Sequence, residues 1–108
     1  MTSMNACSLI IPVYNDADRL KDCLGSLRLL DPGRVPAEVI VIDNNSTDHL
    51  AQVLEQFPEV LCVREEQPGA SAARNRGIAQ ARGEILVFLD ADTTVAPDWL
   101  MKLIAGFD

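Results

Sequence analysis

The chain has 108 residues, enough for one ordinary domain with a thin core and no room for a second. Nine Lys and Arg against sixteen Asp and Glu give a net charge of -7, which argues against nucleic acid or an anionic membrane as partner. Any bound phosphate is therefore expected to need a metal bridge. The cysteines Cys7, Cys23 and Cys62 form no Cys-x-x-Cys pair, so neither a zinc knuckle nor a disulfide framework is indicated and a reducing, cytoplasmic setting is expected.

No run reaches the roughly eighteen apolar residues of a spanning helix, and residues 1–14 show no basic leader or small-residue cleavage site. The chain reads as soluble and unprocessed. Ser8, Leu9, Ile10, Ile11, Pro12 and Val13 form a first strand, with Pro12 near its end, where a missing donor does least harm. Asp16 or Asp18 caps a helix carrying Leu20, Cys23, Leu24, Leu27 and Leu30 until Asp31-Pro32-Gly33 stops the pattern. Val39 to Ile42 make a second, β-branched strand that ends in the turn formers Asp43-Asn44-Asn45-Ser46-Thr47-Asp48. A helix to about Phe57 follows, with Asp48 as its cap and His49 on the surface.

Val60 to Val63 predict a short third strand, and the Ala-rich segment from Gly69 to Arg82 predicts a helix ended by Gly83. Glu84 to Asp90 is the fourth strand, read as buried on both faces because Ile85, Leu86, Val87, Phe88 and Leu89 are all large and apolar. Pro97 opens a last helix anchored by Trp99, and the pattern stops in mid-course at Phe107-Asp108, as expected for a fragment of something longer. Strands alternating with helices predict an α/β fold, a mostly parallel sheet with helices on both faces.

The most informative residues are Asp90-Ala91-Asp92, delivered by the fourth strand to the rim where α/β proteins keep their sites. Side chains two apart in extended backbone leave one face, so both carboxylates are expected to approach one hard cation such as Mn or Mg. The bland alternative is an ordinary acidic turn after a strand. Asp43 alone reads as a turn residue, and Tyr14 alone is as well explained by closing the core.

Taken together, Ser8-Leu9-Ile10-Ile11-Pro12-Val13-Tyr14-Asn15, Val39 to Asp48, Gly69-Ala70-Ser71-Ala72-Ala73-Arg74-Asn75-Arg76-Gly77 and Phe88-Leu89-Asp90-Ala91-Asp92 resemble the amino-terminal half of a GT-A glycosyltransferase of family 2. The resemblance implies a truncated, Rossmann-like nucleotide-diphospho-sugar transferase fold over residues 1–108. It also implies transfer of a sugar from a nucleotide sugar, with a UDP-sugar favoured, to an acceptor hydroxyl. By the same resemblance Pro12, Tyr14, Asp43, Asn75, Asp90 and Ala91 bind the nucleotide sugar and Asp90 and Asp92 the divalent metal. An aromatic face beside an acceptor suits a uracil ring and its imide N–H. Asn75, poorly suited to a helix and close to Gly77, hints at approach to the same pocket.

The departures from the family are two. Relatives extend well beyond 108 residues, their later half supplying the acceptor surface and, in inverting members, the general base, so this chain alone is expected to transfer sugar poorly or not at all. Asn44-Asn45 stands where many relatives have Asp-Gly, and Asn tolerates the left-handed backbone of that turn. A haloacid-dehalogenase-type phosphatase is a rival, with Asp90 as nucleophile and Asp92 as acid and base, but only fourteen residues follow Thr94 for its remaining machinery. A non-catalytic nucleotide-binding module that self-associates through an exposed strand edge is another. A dinucleotide-binding oxidoreductase is disfavoured, since no Gly-x-Gly-x-x-Gly follows the first strand.

Overall fold

A computed structural model describes residues 6–30 and 37–106. The elements run β1 (Cys7–Val13), α1 (Ala17–Arg28), β2 (Ala37–Asp43), α2 (Leu50–Glu55), β3 (Leu61–Arg64), α3 (Ala70–Gln80), β4 (Ile85–Phe88) and α4 (Trp99–Ala105). All strand pairings are parallel and the sheet order is β3-β2-β1-β4. The chain winds outward from β1 to β3 and then returns to the other side of β1. That reversal creates a switch point at the carboxyl ends of β1 and β4, the place where open α/β sheets bind ligands.

Strand alternation divides the core between the two faces of the sheet. Cys7, Leu9, Ile11 and Val13 of β1 pack with Leu20, Cys23, Leu24 and Leu27 of α1, Leu50 and Val53 of α2, and Leu100 and Ile104 of α4. Ile10, Ile40 and Ile42 meet Ala73 of α3 on the opposite face. Gly77 lets α3 lie this close, because a Cβ there would fall inside van der Waals contact of the buried Ile10 side chain. The glycine thus serves helix-to-sheet packing.

Pro12 is tolerated because of where β4 stops. The Ile10 carbonyl accepts from the Leu89 N–H at 2.9 Å, and in an extended strand the backbone groups of Pro12 point to that same side. The β1–β4 pairing ends at Ile10 and Phe88, so among the described residues Pro12 lacks its N–H at a position with no partner strand to miss it.

The predicted alternation of strands and helices is present, though α2 stops at Glu55 and α3 at Gln80 with Ala81 as its C-cap, short of the expected stop at Gly83, and three larger adjustments are needed. First, β4 is shorter than expected and is an edge strand, and it is not covered on both faces: Leu86 is 37% and Phe88 41% exposed, while Ile85 and Val87 pack on the main core. Its two apolar faces reflect a sheet edge that α3, seated over β1 and β2, does not reach. Second, β3 is displaced by one residue and ends at Arg64. Third, the caps differ: Asp16 stands at the N-cap of α1 without a side-chain bond, and the Ala17 N–H is met instead by Asp48 Oδ2 at 3.0 Å. Asp48 therefore caps α1 across two loops, not α2, whose N-cap is His49. Likewise α4 starts at Trp99 with Asp98 as N-cap, two residues past the proposed Pro97 start. The expected stop signal at residues 31–33 lies outside the described residues, where α1 has already ended at Arg28.

Candidate functional site

The loops leaving β1, β2 and β3 are tied into one unit at the carboxyl edge of the sheet. Asn44 N–H donates to the Val13 carbonyl (2.9 Å), and Glu65 N–H to the Asp43 carbonyl (2.9 Å). Asn15 N–H donates to Ser46 Oγ (3.0 Å), while Asn15 Oδ1 accepts from Thr47 N–H (2.7 Å). Asn15 and Asn45 take positive φ of 49° and 70°, the left-handed backbone that Asn adopts more readily than most residues. The motif segments thus meet in space through their polar residues.

A cavity of about 460 Å³ opens on this edge, lined by Tyr14, Asn44, Asn45, Pro68, Gly69 and Ala70. A smaller one of about 190 Å³ adjoins it, sharing Tyr14, Asn44 and Ala70 and adding Pro12, Val13 and Ala73. Tyr14 is 64% exposed, so its ring does not close the core; it is presented at the cavity. Asp43 is half-buried at the end of β2, and its Oδ1 accepts from Ser46 N–H at 2.9 Å. That bond is the turn-forming role that Asp has at a strand end, and it involves only one of the two carboxylate oxygens.

Asp90 and Asp92 lie beyond β4, in a turn closed by Thr93 N–H donating to the Asp90 carbonyl at 3.0 Å. The expectation that strand alternation aligns the two side chains is therefore replaced by another device. Ala91 between them is buried in the main core, which anchors the turn and leaves both flanking carboxylates exposed. Downstream the loop is held to α1, since Val95 N–H donates to Ser26 Oγ, which itself donates to the Cys23 carbonyl. Burial, followed by the nearby charge of Asp92, pushes the Cys23 thiol up to about 11.

Arg19 is a cation beside Asp92. Its guanidinium lies 3.9 Å from Asp92 Oδ2 and 3.7 Å from Asp16 Oδ1. Arg76 is engaged elsewhere, 3.0 Å from Glu65 Oε1. Asn75 is also placed apart: it lines a cleft of about 260 Å³ with Glu65, Gln67, Ala72, Arg76 and Ala79, and not the cavity of Tyr14. Arg19 and Ser26 carry no motif of their own. Their proximity to the acidic turn arises only when α1 folds back beside the end of β4.

Two exposed hard carboxylates suit a divalent cation that shares its coordination with phosphate oxygens and water, the usual arrangement for Mg-type ions. Among the described residues no group of three or more His, Cys, Asp or Glu forms a closed cage. Also among the described residues, no helix is long and apolar enough to cross a membrane.

Comparison with known proteins bears on the family and the fold. Glycosyltransferase AglE of Haloferax volcanii is 39% identical over 100 residues, covering 88% of this chain and 33% of AglE. The crystal structure of S. aureus TarS 1-349 in complex with UDP superposes with a TM-score of 0.84 at 30% identity, over 93% of this chain and 31% of that 1-349 chain. The mannosyltransferase PcManGT from Pyrobaculum calidifontis, in complex with GDP-Man and Mn2+, gives a TM-score of 0.77 at 32% identity, over 87% of this chain and 30% of its own. The chain thus spans about a third of the length of AglE and of each of these two solved chains. The fold is that of GT-A nucleotide-sugar transferases, and the sequence pattern of glycosyl transferase family 2 matches residues 8–108. With that match added to the fold and the edge cavity, the chain belongs to glycosyl transferase family 2.

Proposed function

We propose that this chain forms, as one domain, the donor-binding part of an enzyme that moves a sugar from a nucleoside-diphosphate sugar, a UDP-sugar in first place, to an acceptor hydroxyl. The observation that carries this reading is the cavity at the carboxyl edge of the sheet, where an exposed Tyr14 shares a concave wall with Asn44 and Pro68 to Ala70. A nucleobase is the flat, partly apolar group that such a wall and an aromatic face accept.

In the proposed arrangement the base stacks on Tyr14, above Pro12, and the free oxygen of Asp43 accepts from its imide N–H. Asp90 and Ala91 meet the ribose, and Asp90 and Asp92 hold a divalent Mn or Mg ion. When bound, that ion offsets the diphosphate charge and acts as a Lewis acid toward the leaving nucleoside diphosphate. The buried Ala91 keeps both carboxylates at the surface, and Arg19 lies beside one of them, Asp92. The family match does not favour the phosphatase alternative, in which Asp90 would be a nucleophile. The proposed setting is the cytoplasm, in keeping with the free thiols of Cys7, Cys23 and Cys62.

Calorimetric titration of UDP with and without Mn2+, on the wild-type chain and Asp92→Ala, tests this reading. Binding that Mn2+ strengthens in the wild type and no longer strengthens in Asp92→Ala is the expected result. A metal effect retained in the variant would remove the assignment of Asp92. Absence of binding to UDP, and to GDP in a parallel arm, would remove the donor-pocket reading as a whole.

A further inference from the structure

We infer that Asn44 is the positioning residue that sets the width of the base-binding gap and thereby selects the nucleobase. The inference rests on the donor-pocket reading above and concerns a residue otherwise explained only by its turn.

The Asn44 carboxamide makes three hydrogen bonds to the loop between β3 and α3. Its Nδ2 donates to the carbonyls of Glu65 (2.9 Å) and Gln67 (2.8 Å), and its Oδ1 accepts from Gly69 N–H (3.0 Å). Asn45 Nδ2 adds a bond to the carbonyl between them, Glu66, at 2.9 Å. The carbonyls of residues 65–67 and the amide of Gly69 are thus all held by two adjacent side chains. Gly69 has φ of 116°, a conformation that side-chain-bearing residues rarely adopt, and its N–H bond to Asn44 Oδ1 holds the loop in that conformation.

The same residue is fixed on its other side. Asn44 N–H bonds the Val13 carbonyl, immediately before Tyr14. One residue therefore joins the Tyr14 loop to the Pro68–Ala70 wall, and the space between the two is what a base would enter. In this chain the two carbonyl contacts need an amide donor. An aspartate at position 44 keeps an acceptor for Gly69 N–H but has no N–H for the two carbonyls, and would set its charge against their oxygens.

The experiment compares wild type, Asn44→Asp and Asn44→Ala by titration with UDP and GDP in the presence of Mn2+. Amide hydrogen exchange is followed at Gly69 and, as a control for the core, at Ile10 and Ile40. Both variants are expected to bind UDP at least about tenfold more weakly, the effect of losing two or more hydrogen bonds of ordinary strength. The ratio of UDP to GDP affinity is expected to shift, Gly69 exchange to accelerate, and core exchange to stay unchanged. Unchanged UDP affinity with accelerated Gly69 exchange would overturn the inference and leave the donor pocket standing. Core exchange that accelerates in both variants, with both nucleotides weakened equally, would also overturn it, because Asn44 would then be purely structural. Wild type that binds neither nucleotide would remove the donor-pocket reading and this inference with it.

Discussion

The polar network at the amino ends of the strands is expected to be a pH-dependent stability element. Ser8 is fully buried on β1; its Oγ donates to Glu38 Oε2 at 2.6 Å and accepts from Gly83 N–H at 2.8 Å. Glu38 Oε2 also accepts from Arg82 N–H at 2.6 Å, so β1, β2 and the turn before β4 meet at one carboxylate. Desolvation raises the Glu38 pKa, but the bonds from Ser8 and from the Arg82 backbone outweigh it and the net shift is downward. Ser8→Ala removes one donor from an ionised acceptor and leaves the Gly83 N–H without its partner. Together these changes cost about 2–4 kcal/mol, a large part of the 5–15 kcal/mol typical of a domain.

Glu38→Gln keeps the shape but loses the charge, at a cost of about 1–2 kcal/mol at pH 7. A carboxylate with a lowered folded pKa contributes stability above its ordinary value, here 4.5, and that contribution is lost as pH falls below it through the folded value. The difference between wild type and Glu38→Gln should therefore be full at pH 7 and shrink below pH of about 4.5. Urea denaturation at a series of pH values measures both effects, and Ser8→Ala should lower the midpoint at pH 7 by about 1–2 M. A Ser8→Ala loss under ~0.5 kcal/mol, within the range of ordinary surface substitutions, would refute the reasoning. So would a Glu38→Gln difference that is the same at pH 7 and in acid.

Gly77→Ala gains about 1 kcal/mol of helix propensity but drives a methyl into Ile10, where overpacking costs about 1–3 kcal/mol. A lower urea midpoint is expected; a higher one would show that α3 shifts freely over the sheet. Burial holds the Cys7 and Cys23 thiols near 11, with Glu38 and Asp92 adding to the shift, so both stay protonated at pH 8. Iodoacetamide should then label only the exposed Cys62 in the native chain, as read by mass spectrometry, and all three cysteines after denaturation.

Much of the fold was legible because apolar periodicity reports burial directly. Val39 to Ile42 and Ser8 to Val13 read as interior strands, and in the structure both are central and covered by helices on either side. The same reading misjudged β4, whose run from Ile85 to Leu89 is equally apolar. Leu86 and Phe88 are exposed because cover depends on which element lies above an edge, and α3 lies elsewhere. At the site, the cluster Asp43 to Asp48 was legible as a turn. The destination of each of its side chains was not: Asp48 caps α1, and Asn44 grips a loop more than twenty residues away.

Sequence alone determined the α/β alternation, the family resemblance and the position of the acidic pair after the fourth strand, since these depend on local pattern and on the order of motifs. Only the tertiary structure decided the strand order that puts β4 beside β1, the turn in which a buried Ala91 presents Asp90 and Asp92, the approach of Arg19, and the separation of Asn75 from the Tyr14 cavity. Those features are relations between segments distant along the chain. They arise when helices settle on a shared sheet, and no single segment's composition encodes them.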